Sequence, residues 1–437
     1  MFFKSKKIWF VCACAFLASC SSSKEIPQGH RVSVLDVPEK IVFKKTNPDL
    51  FNLSKPEEIA TWSQIGSNSA HLSKNISALM NKKQWKENFG DGADKRNLLL
   101  AIPVVSNGVI YTQDVKGTVK AFNLENGEEV FSQKLKPLNK NDSSSSLNGA
   151  GIALDQSKIY ALTGFGSVFA LDQKTGEILW RKDLNIPLRS SPTVFGKMLF
   201  VQTIDNQLFN LDTTDGSETW NYGIFAEDTV LAGGAAPAYS KEYDTVVAAF
   251  SNGEIQAFNA SIGYPLWSNN LINTERFSSS SPINAVKASP VIDGQTVYAV
   301  GNNDKTLAID IKNGDVLWQR QIGGVNMPLV DVEAIFIVSN NYELIALDKK
   351  TGETLWQKQL LENLKAKERR KLYLSGPLLV NSELVVTTSS GLVLTFDAKT
   401  GEQKSFVDLD EDLPFAPIFA DNNTIFTTNN AKLIVYK

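Results

Sequence analysis

Residues able to do chemistry are few and unevenly placed in this 437-residue chain. Its two histidines, His30 and His71, and its three cysteines, Cys12, Cys14 and Cys20, all fall within the first 71 positions. The remainder therefore lacks the imidazole of a Ser–His–Asp relay or a histidine metal site, and it lacks a thiol nucleophile. There is no G-x-S-x-G, no Walker loop and no C-x-x-C. The run GFGS at 164–167 reads as a turn, because no helix follows to hold a phosphate. What does recur is a short acid or amide: Asn123, Asp172, Asp212, Asn259, Asp310, Asp348 and Asp397. Such a series invites a calcium or acid–base reading. Each member, however, stands four residues before a glycine: Gly127, Gly176, Gly216, Gly263, Gly314, Gly352 and Gly401. A side chain present in every unit serves the unit, so the chemistry is that of a turn. The acid or amide accepts turn N–H groups and the glycine supplies a positive φ.

Those turns belong to a repeated phrase, clearest as FALDQKTGEILW from Phe169, LAIDIKNGDVLW from Leu307 and IALDKKTGETLW from Ile345. The glycines are spaced by 38 to 51 residues, the period of a supersecondary unit copied along the chain. Four residues after each glycine comes an aromatic: Phe131, Trp180, Trp220, Trp267, Trp318 and Trp356, with Ser405 breaking the series beside Phe406. A Trp at one place in every unit is expected to fill the gap between neighbouring units. Asp172, Gly176 and Trp180, Asp310, Gly314 and Trp318, and Asp348, Gly352 and Trp356 are the three fullest sets. Upstream of most hairpins comes a proline and an apolar run, at Pro103, Pro192, Pro237, Pro290, Pro328, Pro377 and Pro417. Gly149 and Gly151 replace the proline in one unit. Proline belongs at the start or edge of a strand. Each unit is thus four strands, one propeller blade.

Third-strand copies begin near Val119, Val168, Leu208, Ile255, Thr306, Leu344, Val393 and Leu433. The last one ends the chain without its outer strand. An orphan strand carrying an aromatic lies upstream at Lys83-Gln84-Trp85-Lys86. Pairing the two predicts an all-β, eight-bladed β-propeller of four-stranded blades over 82–437, its ring closed by an N-terminal strand. A solenoid is the alternative, but no capping repeats are visible.

At the other end, Lys4, Lys6 and Lys7 precede an apolar stretch from Ile8 to Leu17, which reads as a secretory signal over 1–19 rather than a membrane span. It closes on Leu17-Ala18-Ser19-Cys20, which resembles a bacterial lipobox and implies lipidation at Cys20. Ser21 follows, where an Asp would imply inner-membrane retention, so the periplasmic face of the cell outer membrane is implied. Several acyl chains, palmitate included, would anchor stably. The rest of the chain then has no thiol and no disulfide, so its stability must come from burial, for which 43% hydrophobic residues suffice. Residues 20–60 read as the lipidated cysteine and a flexible tether. Residues 61–81, with Trp62 and His71, read as a segment packing on the propeller or as more tether.

Among the connections, the Ser-rich runs 142–148 and 277–284 read as blade loops. The basic run at 365–371 reads as a solvated face or short helix, or as a contact for an acidic partner. A net charge of −3 makes no general case for nucleic acid.

The ALDxxTGxxLW phrase resembles the quinoprotein-type, PQQ-like repeat carried by two eight-bladed families. One is the PQQ-dependent alcohol and glucose dehydrogenases. The other is the BamB family of lipoproteins in the outer-membrane β-barrel assembly (BAM) machinery. The dehydrogenases, as a family, are longer, often carry an adjacent-cysteine disulfide, and need a calcium site with a catalytic Asp, none of which is found here. The lipobox, length, tether and N-terminal closing strand resemble BamB instead. That resemblance implies a non-enzymatic scaffold without cofactor. It would be lipid-anchored in the outer membrane and bind the POTRA domains of a BamA-like protein beside other BAM components. A PQQ-dependent periplasmic oxidoreductase or a periplasmic ligand-binding propeller are the alternatives. In the family, a leucine-rich loop before a blade's Ala-Pro meets the partner. Here the matching stretch is 229–237, which places Val230 and Leu231 as partner-binding candidates, with Leu231 on a family leucine and Ala232 where the family has Arg. A second family contact carries two acids, but the matching stretch 284–290 has neither.

Overall fold

The computed structural model describes residues 51–137, 149–188, 190–225, 233–272 and 284–437. Among them, thirty-two strands form eight sheets of four antiparallel strands. Seven blades are continuous in sequence: blade 1 at 104–134, blade 2 at 151–183, blade 3 at 193–223, blade 4 at 238–270, blade 5 at 291–320, blade 6 at 329–359 and blade 7 at 374–408. Blade 8 takes three strands from 418–436 and its outermost from Lys83–Asn88, which pairs antiparallel with Lys432–Tyr436. The expected ring and its closure are therefore present. Lys86 and Lys432 both reach Glu411, adding ion pairs beside the closing strand.

Within a blade the burial pattern follows strand position. Second strands such as Ile335–Val338 and third strands such as Leu344–Leu347 are buried on both faces. Outermost strands are exposed or half-buried. Six of the seven prolines stand immediately before an innermost strand, where a missing N–H costs nothing. Pro377 departs from this: it lies inside Leu374–Val380, at a register shift between Ser375 and Leu378 that removes it from the ladder.

The hairpin turns explain the repeat residue by residue. Asp172 Oδ1 accepts the backbone N–H groups of Lys174 and Thr175 at 2.8 and 2.9 Å, and Gly176 adopts φ 73°. Asp348 and Asp310 accept equivalent N–H groups, and Gly352 and Gly314 adopt φ 70° and 78°. The small residue of each third strand faces the aromatic across the hairpin, as in Ala170 opposite Trp180 and Ala308 opposite Trp318. Each aromatic then lies on the turn glycine of the next blade. A Cβ on Gly216 would stand 2.6 Å from the Trp180 ring, and one on Gly352 the same distance from the Trp318 ring. The indole N–H also donates forward: Trp180 to Thr213 O at 3.1 Å, Trp318 to Lys349 O at 3.1 Å and Trp356 to Ala398 O at 3.1 Å. Trp85 does the same for blade 1, sitting on Gly127 and donating to Leu124 O at 2.9 Å.

One junction lacks the device. Blade 8 has no hairpin between its third and outermost strands, because the latter comes from the other end of the chain. It therefore offers no turn glycine to blade 7. At that junction stands Ser405, which pairs its hydroxyl with Thr395 at 2.6 Å, while Phe406 is 65% exposed.

Residues 51–82 are packed. Residues 51–60, expected as part of the tether, lie on the ring instead: Phe51 is buried against Phe336 and Ser54 N donates to Asp331 at 2.9 Å, both in blade 6. The chain then circles the ring along the innermost strands. Ile59 O accepts from Asp421 N of blade 8, and Trp62 exchanges both backbone bonds with Val105 of blade 1. Ser63 O takes Leu154 N of blade 2. The Gln64 side chain bonds both N–H and C=O of Val194 in blade 3. Ser69 and Ala70 accept from Tyr239 of blade 4 and Ile292 of blade 5, and Ile76 pairs with blade 7. Having passed once around, the segment meets itself, with Glu57 N donating to Asn75 O at 2.9 Å and Ser77 N to Glu57 O at 2.8 Å.

Candidate functional site

Antiparallel order divides the ring into two faces. The Asp–Gly turns and the turns after each innermost strand lie on one, which carries the circling segment. The inter-blade loops and the turns between second and third strands lie on the other. The repeat acids Asp172, Asp310 and Asp348 are therefore dispersed around the turn face, one per blade, and the structure brings no two of them together in a site. The Asp172 carboxyl is held below the usual aspartate range by the N–H groups of Thr175 and Lys174, so it is a satisfied anion rather than an acid in reserve. Trp180, Trp318 and Trp356 are spent between blades. Val230, Leu231 and Cys20, together with the Ser-rich runs 142–148 and 277–283, lie outside the described residues.

His71, expected near the propeller, is 1% exposed, and its Nδ1 donates to Pro290 O at 2.9 Å. That bond fixes the proton on Nδ1 and leaves Nε2 buried without a partner among the described residues. Burial outweighs the hydrogen bond and lowers its pKa to about 4. A neutral, locked imidazole of this kind is structural.

The loop face is where exposed side chains gather. Phe225, in the loop leaving blade 3, is 94% exposed, and Tyr373, in the loop entering blade 7, is 77% exposed. Ahead of Tyr373 the basic run forms a one-turn helix, Ala366–Arg369, with Glu368 capping the Lys365 N–H. Toward the axis the loops converge. A Cβ on Gly233, at φ 82°, would lie 3.4 Å from Lys287 Cε and 3.7 Å from Leu100 Cδ2. Those residues come from the loops that follow blades 3, 4 and 8, so the mouth is bridged by protein. Lys287 is exposed in this concave mouth, yet the surrounding protein removes enough water to hold its pKa below the usual lysine value. Beside it a cleft of about 50 Å³ opens among blades 3, 4 and 5, lined by Ser190, Gln202, Asn206, Gly234, Ser251 and Val286 among others. Sequence reasoning missed these residues, since scattered single Ser and Gln side chains carry no repeat and no motif.

Among the described residues no three His, Cys, Asp or Glu side chains stand together as a metal site. The described part of the loop face offers a mixed polar and aromatic surface of the type that docks another protein.

Residues 115–358 match a family model described as outer membrane protein assembly factor BamB. The chain is 27% identical over 248 residues to the outer membrane protein assembly factor BamB of Yersinia pestis, covering 56% of this chain and 62% of that one, less than two thirds of the relative. Among solved structures, BamB from Moraxella catarrhalis matches with a TM-score of 0.69 at 17% identity, over 82% of this chain and 99% of that one. A quinohemoprotein alcohol dehydrogenase from Comamonas testosteroni matches with a TM-score of 0.65 at 12% identity, over 86% and 80%. At such identities the structural likeness speaks for the fold alone.

Proposed function

This chain belongs to the BamB family of outer membrane protein assembly factors, and from that premise we propose that it is a non-enzymatic scaffold of the outer-membrane β-barrel assembly machinery. The observation that carries the reading is the family match running from the third strand of blade 1 to the outermost strand of blade 6. In this reading Cys20 is lipidated and ties the ring to the periplasmic face of the outer membrane. The loop face meets the POTRA region of a BamA-like protein, with Val230 and Leu231 in the docking loop. Three features support it. The ring is closed by its N-terminal strand and by a segment bonded around its innermost strands, a pre-formed body of the kind that loses little ordering entropy on binding. Phe225, just ahead of residues 226–232, is an exposed aromatic of the type that anchors interfaces. Among the described residues, Gly233, Lys287 and Leu100 of three separate loops meet across the mouth.

The test is binding of the purified chain to the POTRA domains of its BamA-like partner, measured in solution for wild type and Leu231→Asp. We expect at least a tenfold loss of affinity with an unchanged melting temperature. A Leu231→Asp chain that binds as well as wild type removes the docking role. One that loses stability instead assigns Leu231 to the core.

A further inference from the structure

The cleft on the loop face combines three polar atoms that the fold leaves unused. Gln202 Nε2 donates to Ala249 O at 2.9 Å, which fixes the amide orientation and leaves Oε1 buried with no partner among the described residues. Ser190 Oγ and Ser251 Oγ are likewise buried and unpartnered there. All three line the same cleft, although they come from the loop entering blade 3, the second strand of blade 3 and the turn after the second strand of blade 4. Ser190 is 6% exposed and Gln202 7%. A buried polar atom without a partner costs about 1–3 kcal/mol, and three around one space are a concentrated cost that an occupant would relieve. The surroundings are built to stay: Asn206 spans the wall, donating to Phe225 O at 2.9 Å and accepting from Ser251 N at 3.0 Å. Gly233 and Gly234 remove side chains from one wall and let a backbone or small group come close.

The chemistry of the lining selects the guest. Gln202 Oε1 can only accept, so the guest must bring an N–H or O–H donor to that point, where a carboxylate oxygen would be repelled. Lys287, against Gly233, disfavours an ammonium group. The serine hydroxyls can donate to a carbonyl. Ala235, Ala249, Ala285 and Val286 give the remaining walls methyl groups, and among the described residues no aromatic lines the cleft for a sugar to stack on. The room amounts to about four water-sized spheres. We propose that the cleft binds a neutral amide, pairing its N–H with Gln202 Oε1 and its carbonyl with the Ser190 and Ser251 hydroxyls. The amide is the carboxamide of an Asn or Gln side chain or the main-chain amide of an extended polypeptide. This site does not depend on the partner proposed above.

The experiment is a methyl NMR titration of the full chain, labelled at alanine and valine methyls so that Ala235, Ala249, Ala285 and Val286 report. The probes are acetamide for the side-chain source, N-methylacetamide for the main-chain source, and acetate as the anion of matching shape. The expected result is a saturable shift of these methyls with one or both amides and none with acetate, the tighter amide identifying the source. The Ser190→Ala/Ser251→Ala variant should bind that amide about fivefold more weakly or worse. Its melting temperature should not fall and should rise if anything, since it removes two buried hydroxyls that have no partner among the described residues. No saturable shift with either amide, which would mean a cleft holding water only, overturns the proposal. Equal binding of acetate, or undiminished binding by the double variant, also overturns it. Should that variant not fold, the wild-type comparison of amides with acetate decides alone.

Discussion

At the scale of single residues, stability rests on a contact repeated around the ring, an aromatic seated on the next blade's glycine. Trp318→Ala empties the wedge between blades 5 and 6 and strands Lys349 O, so we expect a loss of about 3–5 kcal/mol by denaturant unfolding. Ser405→Trp restores the repeat residue at the junction that has no glycine. It should change stability by no more than about 0.5 kcal/mol, because the ring would have nothing to sit on. A gain as large as the Trp318→Ala loss would show that the glycine seat is unimportant. The Trp and Asp positions were readable in the sequence because every blade needs the same turn and wedge. Ser405 was readable only as an exception. Its reason, a glycine missing from a blade assembled from both ends of the chain, emerges from the topology.

His71 supplies the pH dependence at the same scale. Its folded pKa of about 4 lies below the ordinary value of 6.5, so the unfolded chain binds the proton more readily. The stabilisation is complete above about pH 6.5 and is lost as the pH falls toward 4, amounting to about 3 kcal/mol. His71→Asn keeps a donor for Pro290 O and tolerates the positive φ of 59° found there. Its stability should be flatter between pH 6.5 and 4.5, above the range where most carboxylates titrate. An unaltered slope would mean that other groups dominate.

At the scale of elements, the blades were legible and the circling segment was not. A blade announces itself through side-chain periodicity and turn residues. Residues 51–82 hold the ring largely through backbone bonds to innermost strands, which any side chain permits, so their route leaves little trace in residue type. Where side chains do the work, they are single polar ones. Asn75 is fully buried, donates to Ser54 O at 2.6 Å and to Ser382 Oγ at 3.1 Å, and accepts from Ser382 N at 3.0 Å. It pins the point where the segment overlaps itself. Asn75→Ala should cost about 2–3 kcal/mol and raise hydrogen exchange at the Glu57, Ile76 and Ser77 amides before the rest of the ring. Uniform destabilisation with no local change would show that the overlap is not an independent clasp. The cleft residues were hidden for a related reason. Ser190, Gln202 and Ser251 stand far apart in sequence, and only the packing of neighbouring blades sets them around one space.

At the scale of the whole molecule, the ring is closed three ways: by the strand Lys83–Asn88, by the inter-blade aromatics, and by a segment bonded around its inner wall. Such a body suits a part that must present loops in a fixed arrangement. The repeat phrase it shares with quinoproteins marks blade construction, since its Asp, Gly and Trp residues are all consumed in turns and wedges. The central claim, a scaffold in the barrel-assembly machinery, meets its most direct test in native membranes. The protein, affinity-tagged at Lys437 and expressed at its natural level, would be captured from membranes solubilised in mild detergent, and its companions identified by mass spectrometry. A BamA-like barrel protein with POTRA domains should co-purify in near-stoichiometric amount. Its consistent absence, with the tagged protein intact and recovered from the membrane fraction, would contradict the account.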